Sequence, residues 1–285
     1  MDILTLYAAQ GDLTAARSGG EAIIVDAHMP DCDDVTPYQI EQALAVYLRG
    51  TLVRGLILTG LDRDHSCPAG VASILSNYTP DWVMYPKYYK ETDPASEVFE
   101  TIARHVSRRA NTSRPLTRVS VCLDQRNSAS LTGLARSFAF ELFSPHTDDM
   151  GCSNNSGIVV KLTGLDSTGF SYLVTGDTEV PRWERIKAIF GDSLKSDVLS
   201  APHHGSKTGL HIPSLLKIRP NTVLISAGVD NAYGHPDGQA VAVYQEVAKH
   251  VFSTNVEGGV CLLTRPTGLD FTTALTNHVP KCAAS

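Results

Sequence analysis

Hydrophobic residues along this chain fall in short blocks separated by glycine-bearing turns, and polar residues follow almost every block. The blocks lie at 3–7, 22–25, 52–59, 119–123, 138–143, 157–162, 170–175, 197–201, 222–226 and 259–264. Their short length and β-branched content predict buried strands rather than helices. Helices are expected over 37–48, 68–75, 95–107, 181–190, 212–217 and 238–250. Several of these open on proline, whose fixed φ suits the first helical turn. Strand-rich segments flank the helices in both halves. That rhythm predicts an α/β (α+β) chain built as a four-layer αββα sandwich, one domain spanning 1–285, rather than a strictly alternating parallel sheet.

Composition narrows the picture. The 285 residues are 42% hydrophobic and 19% charged, which excludes collagen-like, disordered and coiled-coil chains. Lys and Arg number 24 against 30 Asp and Glu, a net charge of −6, so no overall cationic field draws in nucleic acid. Any such substrate must be held by local basic groups or a metal. No apolar run approaches the roughly 20 residues of a membrane helix, and no membrane partner is expected. Asp2 and the lack of a basic leader argue against a signal peptide, so a cytoplasmic location with reduced thiols is expected. Cys32, Cys67, Cys122, Cys152, Cys261 and Cys282 are scattered without a C-x-x-C pair, and no zinc knuckle is expected. Residues 108–115 read as a solvated basic loop.

Four polar clusters each follow a predicted strand. After 52–59 comes Gly60-Leu61-Asp62-Arg63-Asp64-His65, three candidate divalent-metal ligands within four positions. A polar turn in which Asp64 or Ser66 caps the helix at Pro68 would use the same residues. After 170–175 comes Gly176-Asp177-Thr178-Glu179, where a carboxylate behind a glycine is placed to bridge two ions, although Gly-Asp is also a common turn. After 197–201 comes Pro202-His203-His204-Gly205-Ser206, a histidine pair suited to metal ligation or proton movement. After 222–226 comes Tyr233-Gly234-His235-Pro236. Four independent turns would rarely all supply Asp or His at a strand's end.

These stretches resemble the metallo-β-lactamase fold, and within it the nuclease-like domain of the competence protein ComEC. Gln10-Gly11-Asp12 with Ile23-Ile24-Val25-Asp26 is similar to the opening strand pair and its structural Asp. Residues 58–65 resemble the H-x-D-x-D-H metal loop. Asn154-Asn155-Ser156 and Thr175-Gly176-Asp177 resemble the turn and strand around the bridging Asp. Residues 197–206 resemble D-V-L-x-x-P-H-H-G-S, 233–236 resemble Y-G-H-P, and 253–260 resemble the last strand.

The resemblance implies a Zn or Mn centre of one or two ions. Asp64 and His65 would serve one metal, Asp177 would bridge, and Asp62 would belong to the other. One of His203, His204 and His235 would complete the shell, with His204 and His235 favoured. Asp64, His203 and His204 are the implied catalytic residues, a late histidine protonating the leaving group. The chain departs from the family at Gly60, where the first histidine of the metal loop belongs, and at Ser66-Cys67-Pro68, which replaces I-G-G. Either His28 or His146 substitutes, or one ion is held by Asp64, His65, Asp177 and a late histidine, or no catalytic pair forms.

The implied activity is metal-dependent hydrolysis, foremost of a phosphodiester in nucleic acid or a nucleotide. The alternatives are a lactone, thioester or β-lactam substrate, and nucleotide or partner binding without turnover, which Gly60 favours. A regulatory protein partner would restrain a free nuclease. Lys207 and Arg63 are candidates for phosphate contact or plain surface charge. Tyr172 and Tyr233 are expected in the core rather than stacked on a base.

Overall fold

A computed structural model describes residues 1–30, 32–88, 91–123, 129–148, 152–265 and 268–273; Cys282 lies outside them. The strands in chain order begin with β1 (Asp2–Thr5), β2 (Thr14–Ser18), β3 (Glu21–Val25), β4 (Leu52–Ile57) and β5 (Trp82–Pro86). They continue with β6 (Thr117–Val121), β7 (Ala129–Leu131), β8 (Phe138–Ser144), β9 (Val159–Gly164) and β10 (Ser171–Val174). The last are β11 (Val198–Ser200), β12 (Thr222–Ile225), β13 (His250–Ser253), β14 (Val260–Arg265) and β15 (Gly268–Thr273). Helices α1 (Pro37–Tyr47), α2 (Pro68–Asn77) and α3 (Asp93–Arg109) belong to the first half. Helices α4 (Val180–Phe190), α5 (Ile212–Ile218), α6 (Gly238–Val247) and the single turn α7 (Thr254–Glu257) belong to the second.

Two sheets result, ordered β15-β14-β1-β2-β3-β4-β5-β6 and β13-β12-β11-β10-β9-β8-β7. Side-chain alternation builds the layers. Ile57 of β4 and Tyr172 and Val174 of β10 point between the sheets, where they join Ile3, Ile23, Met84, Phe140 and Leu162. Their neighbours Leu56 and Leu173 point outward. Leu56 packs with Leu44, Ile74 and Ile102 of α1 to α3, and Leu173 packs with Trp183, Leu215 and Tyr244 of α4 to α6. Strands buried on both faces read as continuous apolar runs, which is why the sequence signalled them. Each large side chain so buried contributes about 1.5–3 kcal/mol. The architecture is the expected αββα sandwich.

Some details differ from the sequence expectation. Strands β2, β5, β7, β13 and β15 fall outside the anticipated blocks. In β2 the buried apolar positions are Ala15 and Ala16, too small to register as a hydrophobic run. The helix expected to 250 stops at Val247, because Ala248 is extended and His250 pairs with Thr222 to open β13. Helix α2 is capped by Cys67, whose Sγ accepts from the Gly70 amide at 3.3 Å, and not by Asp64 or Ser66.

Strand direction positions the chemistry. In the first sheet β3 and β4 are parallel, and in the second β10, β11 and β12 are parallel. The loops leaving their carboxyl ends meet at one edge of the sandwich, where the Ile158 amide donates to the Thr59 carbonyl across the two sheets at 2.7 Å.

Candidate metal centre

The loop after β4 is stapled before any side chain is considered. The Asp12 amide donates to the Asp64 carbonyl at 2.8 Å, and the Ala27 amide to the His65 carbonyl at 2.7 Å. The His65 and Ser66 amides both close on the Asp62 carbonyl. The loop after β11 is tied to the loop after β10 by the His203 amide, which donates to the Gly176 carbonyl at 3.0 Å. His203 and His204 take left-handed backbone angles, φ +50° and +54°, and Asp26 does so at +59°. Such conformations cost a non-glycine residue of order 1 kcal/mol and gather where a side chain must be aimed. Gly205 makes the histidine turn possible: its φ is +76°, and a Cβ there would lie 2.9 Å from Pro236 Cβ.

These constraints bring Asp64, His65, Asp177 and His204 together, one ligand atom of each within 4.8 Å of the others. His65 Nε2 is 3.0 Å from Asp177 Oδ1; His204 Nε2 is 3.4 Å from Asp64 Oδ2 and 3.6 Å from Asp177 Oδ1. His65 and His204 are 1% and 3% exposed. His65 Nε2, His204 Nε2 and Asp177 Oδ1 are buried yet make no hydrogen bond. Buried polar atoms are normally satisfied, so three such atoms facing a common point fit the ligand set of a cation.

The remaining ring atoms are engaged. His65 Nδ1 donates to Asp26 Oδ2 at 3.0 Å, and Asp26 also accepts from the Thr59 amide at 2.6 Å and the Thr59 hydroxyl at 2.7 Å. His204 Nδ1 donates to the Ser226 carbonyl at 2.9 Å. Nε2 is therefore the atom of each ring left to offer a lone pair once its proton leaves, and carboxylate or carbonyl support of this kind strengthens a ligand. Asp12 stands behind them, 3.5 Å from His65 Nδ1 and 3.9 Å from His204 Nδ1.

The electrostatics follow from burial and crowding. Burial alone would lower both histidines, but Asp177, Asp26 and Asp64 push His65 well above the ordinary histidine value. Asp12 and Asp177, with Asp64, raise His204 to about 9 in the same way. Burial would raise Asp177, but His65 and His204 hold it far below the carboxylate range, and they lower Asp64 against burial too. Burial raises Asp12. Protons on the two histidines offset part of this acidic charge, and a divalent cation would do the same work in their place.

Other expected residues sit apart from the cluster. Asp62 lines the same cavity, of about 450 Å³, but its carboxylate accepts from Ser153 Oγ at 2.5 Å and it is not in the four-residue group. His235 also lines the cavity, with its ring 6.5 Å from that of His204 and 5.5 Å from that of His203. His203 Nε2 is 3.8 Å from Asp177 Oδ2, while its Nδ1 meets Thr208 Oγ1 at 3.1 Å and Glu179 Oε1 at 3.4 Å. His28 borders the cavity, Nδ1 against the Arg63 carbonyl at 2.9 Å, and burial lowers its pKa. His146 does not reach the centre: it is buried against Arg182 and the Phe190 ring, on the α4 side.

Tyr172 is in the core as expected, whereas Tyr233 is 73% exposed at the cavity and lies over His235 at 5.9 Å. Asn231 fixes that turn, accepting from the Tyr233 and His235 amides. Arg63 lines the cavity; Lys207 is exposed and is not part of its lining. The resemblance marks a structural Asp in the segments of Asp12 and Asp26, and Glu179 belongs to the cluster of Asp177; that these carboxylates support His65, His204 and His203, and that Thr59 supports Asp26, had no sequence signal. A larger cavity of about 650 Å³ lies elsewhere, and Glu21 and Asp81 neutralise its Arg54 and Arg114.

Two facing sheets between helical layers, with acidic and imidazole groups gathered at the carboxyl ends of parallel strands, make this the metallo-β-lactamase fold. Within that fold the chain resembles ComEC-type competence proteins. It is 26% identical over 205 residues to ComE operon protein 3 of Bacillus subtilis, covering 72% of this chain and 24% of that protein. It is 32% identical over 122 residues to Recombination protein 2 of Haemophilus influenzae, covering 42% of this chain and 15% of that one. The chain thus matches about a quarter or less of these relatives' length. No family model matches it.

Among solved structures, Igni18, a metallo hydrolase of Ignicoccus hospitalis, superposes with a TM-score of 0.53 at 13% identity, over 93% of this chain and all of that one. CmlA, a diiron β-hydroxylase of Streptomyces venezuelae, gives 0.51 at 13% identity, over 88% of this chain and 52% of that one. A hydrolase and a hydroxylase on one fold mean that the architecture does not choose the reaction. Among the described residues no helix is long and apolar enough to cross a membrane.

Proposed function

We propose that this chain is a metal-dependent phosphodiesterase acting on nucleic acid or a nucleotide. The observation that carries the reading is the set of three buried atoms, His65 Nε2, His204 Nε2 and Asp177 Oδ1, that face one another without hydrogen bonds. A relative whose name ties it to recombination supports a nucleic-acid substrate over a lactone, thioester or β-lactam. Two imidazoles and two carboxylates suit zinc or manganese.

A bound divalent ion supplies a water whose pKa falls to about 7 in favourable zinc sites, and a positive charge for a phosphoryl oxygen. The chain's residues do the rest. Asp64, His65, Asp177 and His204 would hold the ion, and Asp26 and the Ser226 carbonyl fix the two rings through Nδ1, leaving Nε2 of each turned into the cluster. His203, oriented through Nδ1 by Thr208 and Glu179, delivers a proton from Nε2 to the leaving alkoxide. Arg63 lines the cavity and offers a guanidinium to the phosphate.

The test is metal analysis of purified protein, with cleavage of DNA, RNA and a small bis-ester of phosphate in Mn²⁺ or Zn²⁺, each repeated with chelator. Cleavage abolished by chelation and by Asp177→Ala is expected, the variant also losing its metal. An active Asp177→Ala, or metal-loaded protein that cleaves no phosphodiester, refutes the reading.

A further inference from the structure

We infer that the centre is mononuclear: Asp64, His65, Asp177 and His204 hold a single divalent ion, and Gly60 is what leaves a second position without ligands. This rests on the metal-dependent reading above.

The four-residue cluster uses one oxygen of Asp177, Oδ1. Its other oxygen faces His203 Nε2 at 3.8 Å, which is the start of a second site. Among the described residues no third His, Cys, Asp or Glu joins that pair within 4.8 Å. Three protein ligands are the usual minimum for a catalytic ion, so two are too few. Asp62, on the same loop, is drawn to Ser153 Oγ at 2.5 Å. His28 is anchored at the Arg63 carbonyl, and His146 sits against Arg182. Neither stands in for the missing imidazole.

Space is not the obstacle. A Cβ built on Gly60 would meet His65 Cδ2 at 3.6 Å and nothing nearer, ordinary van der Waals contact, and the backbone there is not left-handed. The position faces His65 and has room for a Cβ. What it lacks is a donor atom.

The experiment counts ions. Wild type and Gly60→His, stripped with chelator and reloaded with Zn²⁺ or Mn²⁺, are dialysed and analysed for metal per folded chain by mass spectrometry. The Mn²⁺ forms are also examined by electron paramagnetic resonance, because ions about 4 Å apart couple magnetically whereas a lone ion gives an isolated spectrum. About one ion and an uncoupled spectrum are expected for wild type, and about two ions with a coupled spectrum for Gly60→His. Two ions in wild type overturn the inference but leave the metal-dependent reading intact. A folded Gly60→His that still holds one ion removes Gly60 as the cause and overturns the inference as stated. No ion in folded wild type sinks both readings. Asp62→Ala keeps the question open to refutation if Gly60→His does not fold: its metal content should stay at about one, and a fall to zero would place Asp62 in the first site and overturn the assignment.

Discussion

The protonation of His65 and His204 makes ion binding steeply dependent on pH. Surrounding carboxylates hold both rings protonated at neutrality, His204 with a value of about 9. An ion entering the cluster must take the Nε2 lone pairs and so expel both protons. Below the titration of either group, two protons released per ion mean that apparent affinity rises about 100-fold per pH unit. For His204 alone, a value of about 9 corresponds to about 3 kcal/mol of competition at neutral pH. The sign for the ion-free protein is opposite. The stability lent by the raised His204 is complete below the ordinary histidine value, 6.5, and is lost as pH rises through about 9. Alkaline pH therefore weakens the ion-free form while favouring the ion, and the gain in Tm on adding Mn²⁺ or Zn²⁺ should grow between about pH 6 and 8.5. Calorimetric titration in buffers of different ionisation enthalpy counts the protons directly; about two per ion near pH 7 are expected. An affinity that is flat over this range, with no proton released, would show that the histidines are not displaced by the ion and would refute the argument.

Two further outcomes follow from the same geometry. Asp26→Asn removes no ligand, but it places an amide against His65 Nδ1, and metal affinity measured by competition with a chromophoric chelator should fall about 10- to 100-fold while the circular dichroism spectrum is kept; unchanged affinity would deny the supporting role. Tyr233→Ala should weaken binding of single-stranded DNA to the chelated protein by about 1–3 kcal/mol, the worth of one stacked base, while turnover of a small phosphate bis-ester stays the same. Equal loss on both substrates would mean that the exposed ring does not meet a base.

The sequence alone determined much of the architecture. The centres of blocks such as 170–175 and 222–226, Tyr172 to Val174 and Val223 to Ile225, are buried on both faces and apolar without alternation, so the strand announces itself. It also marked the four loops that carry Asp and His, because each follows such a block. Residue type alone could not rank His203, His204 and His235, and of the two that the resemblance favoured, His204 joins the four-residue group whereas His235 does not. The fold separates them: a left-handed turn closed by Gly205 drives His204 into the interior, leaves His203 half-buried on Glu179 and sets His235 behind both rings. Nor could it draw Asp12 and Asp26 to His65, or turn Tyr233 out to solvent, since those relations join residues of different sheets and loops. Periodicity records which way a side chain faces within its own element. Which strand ends come to share one point depends on how two twisted sheets stack and in which direction their strands run, and only the folded chain decides that.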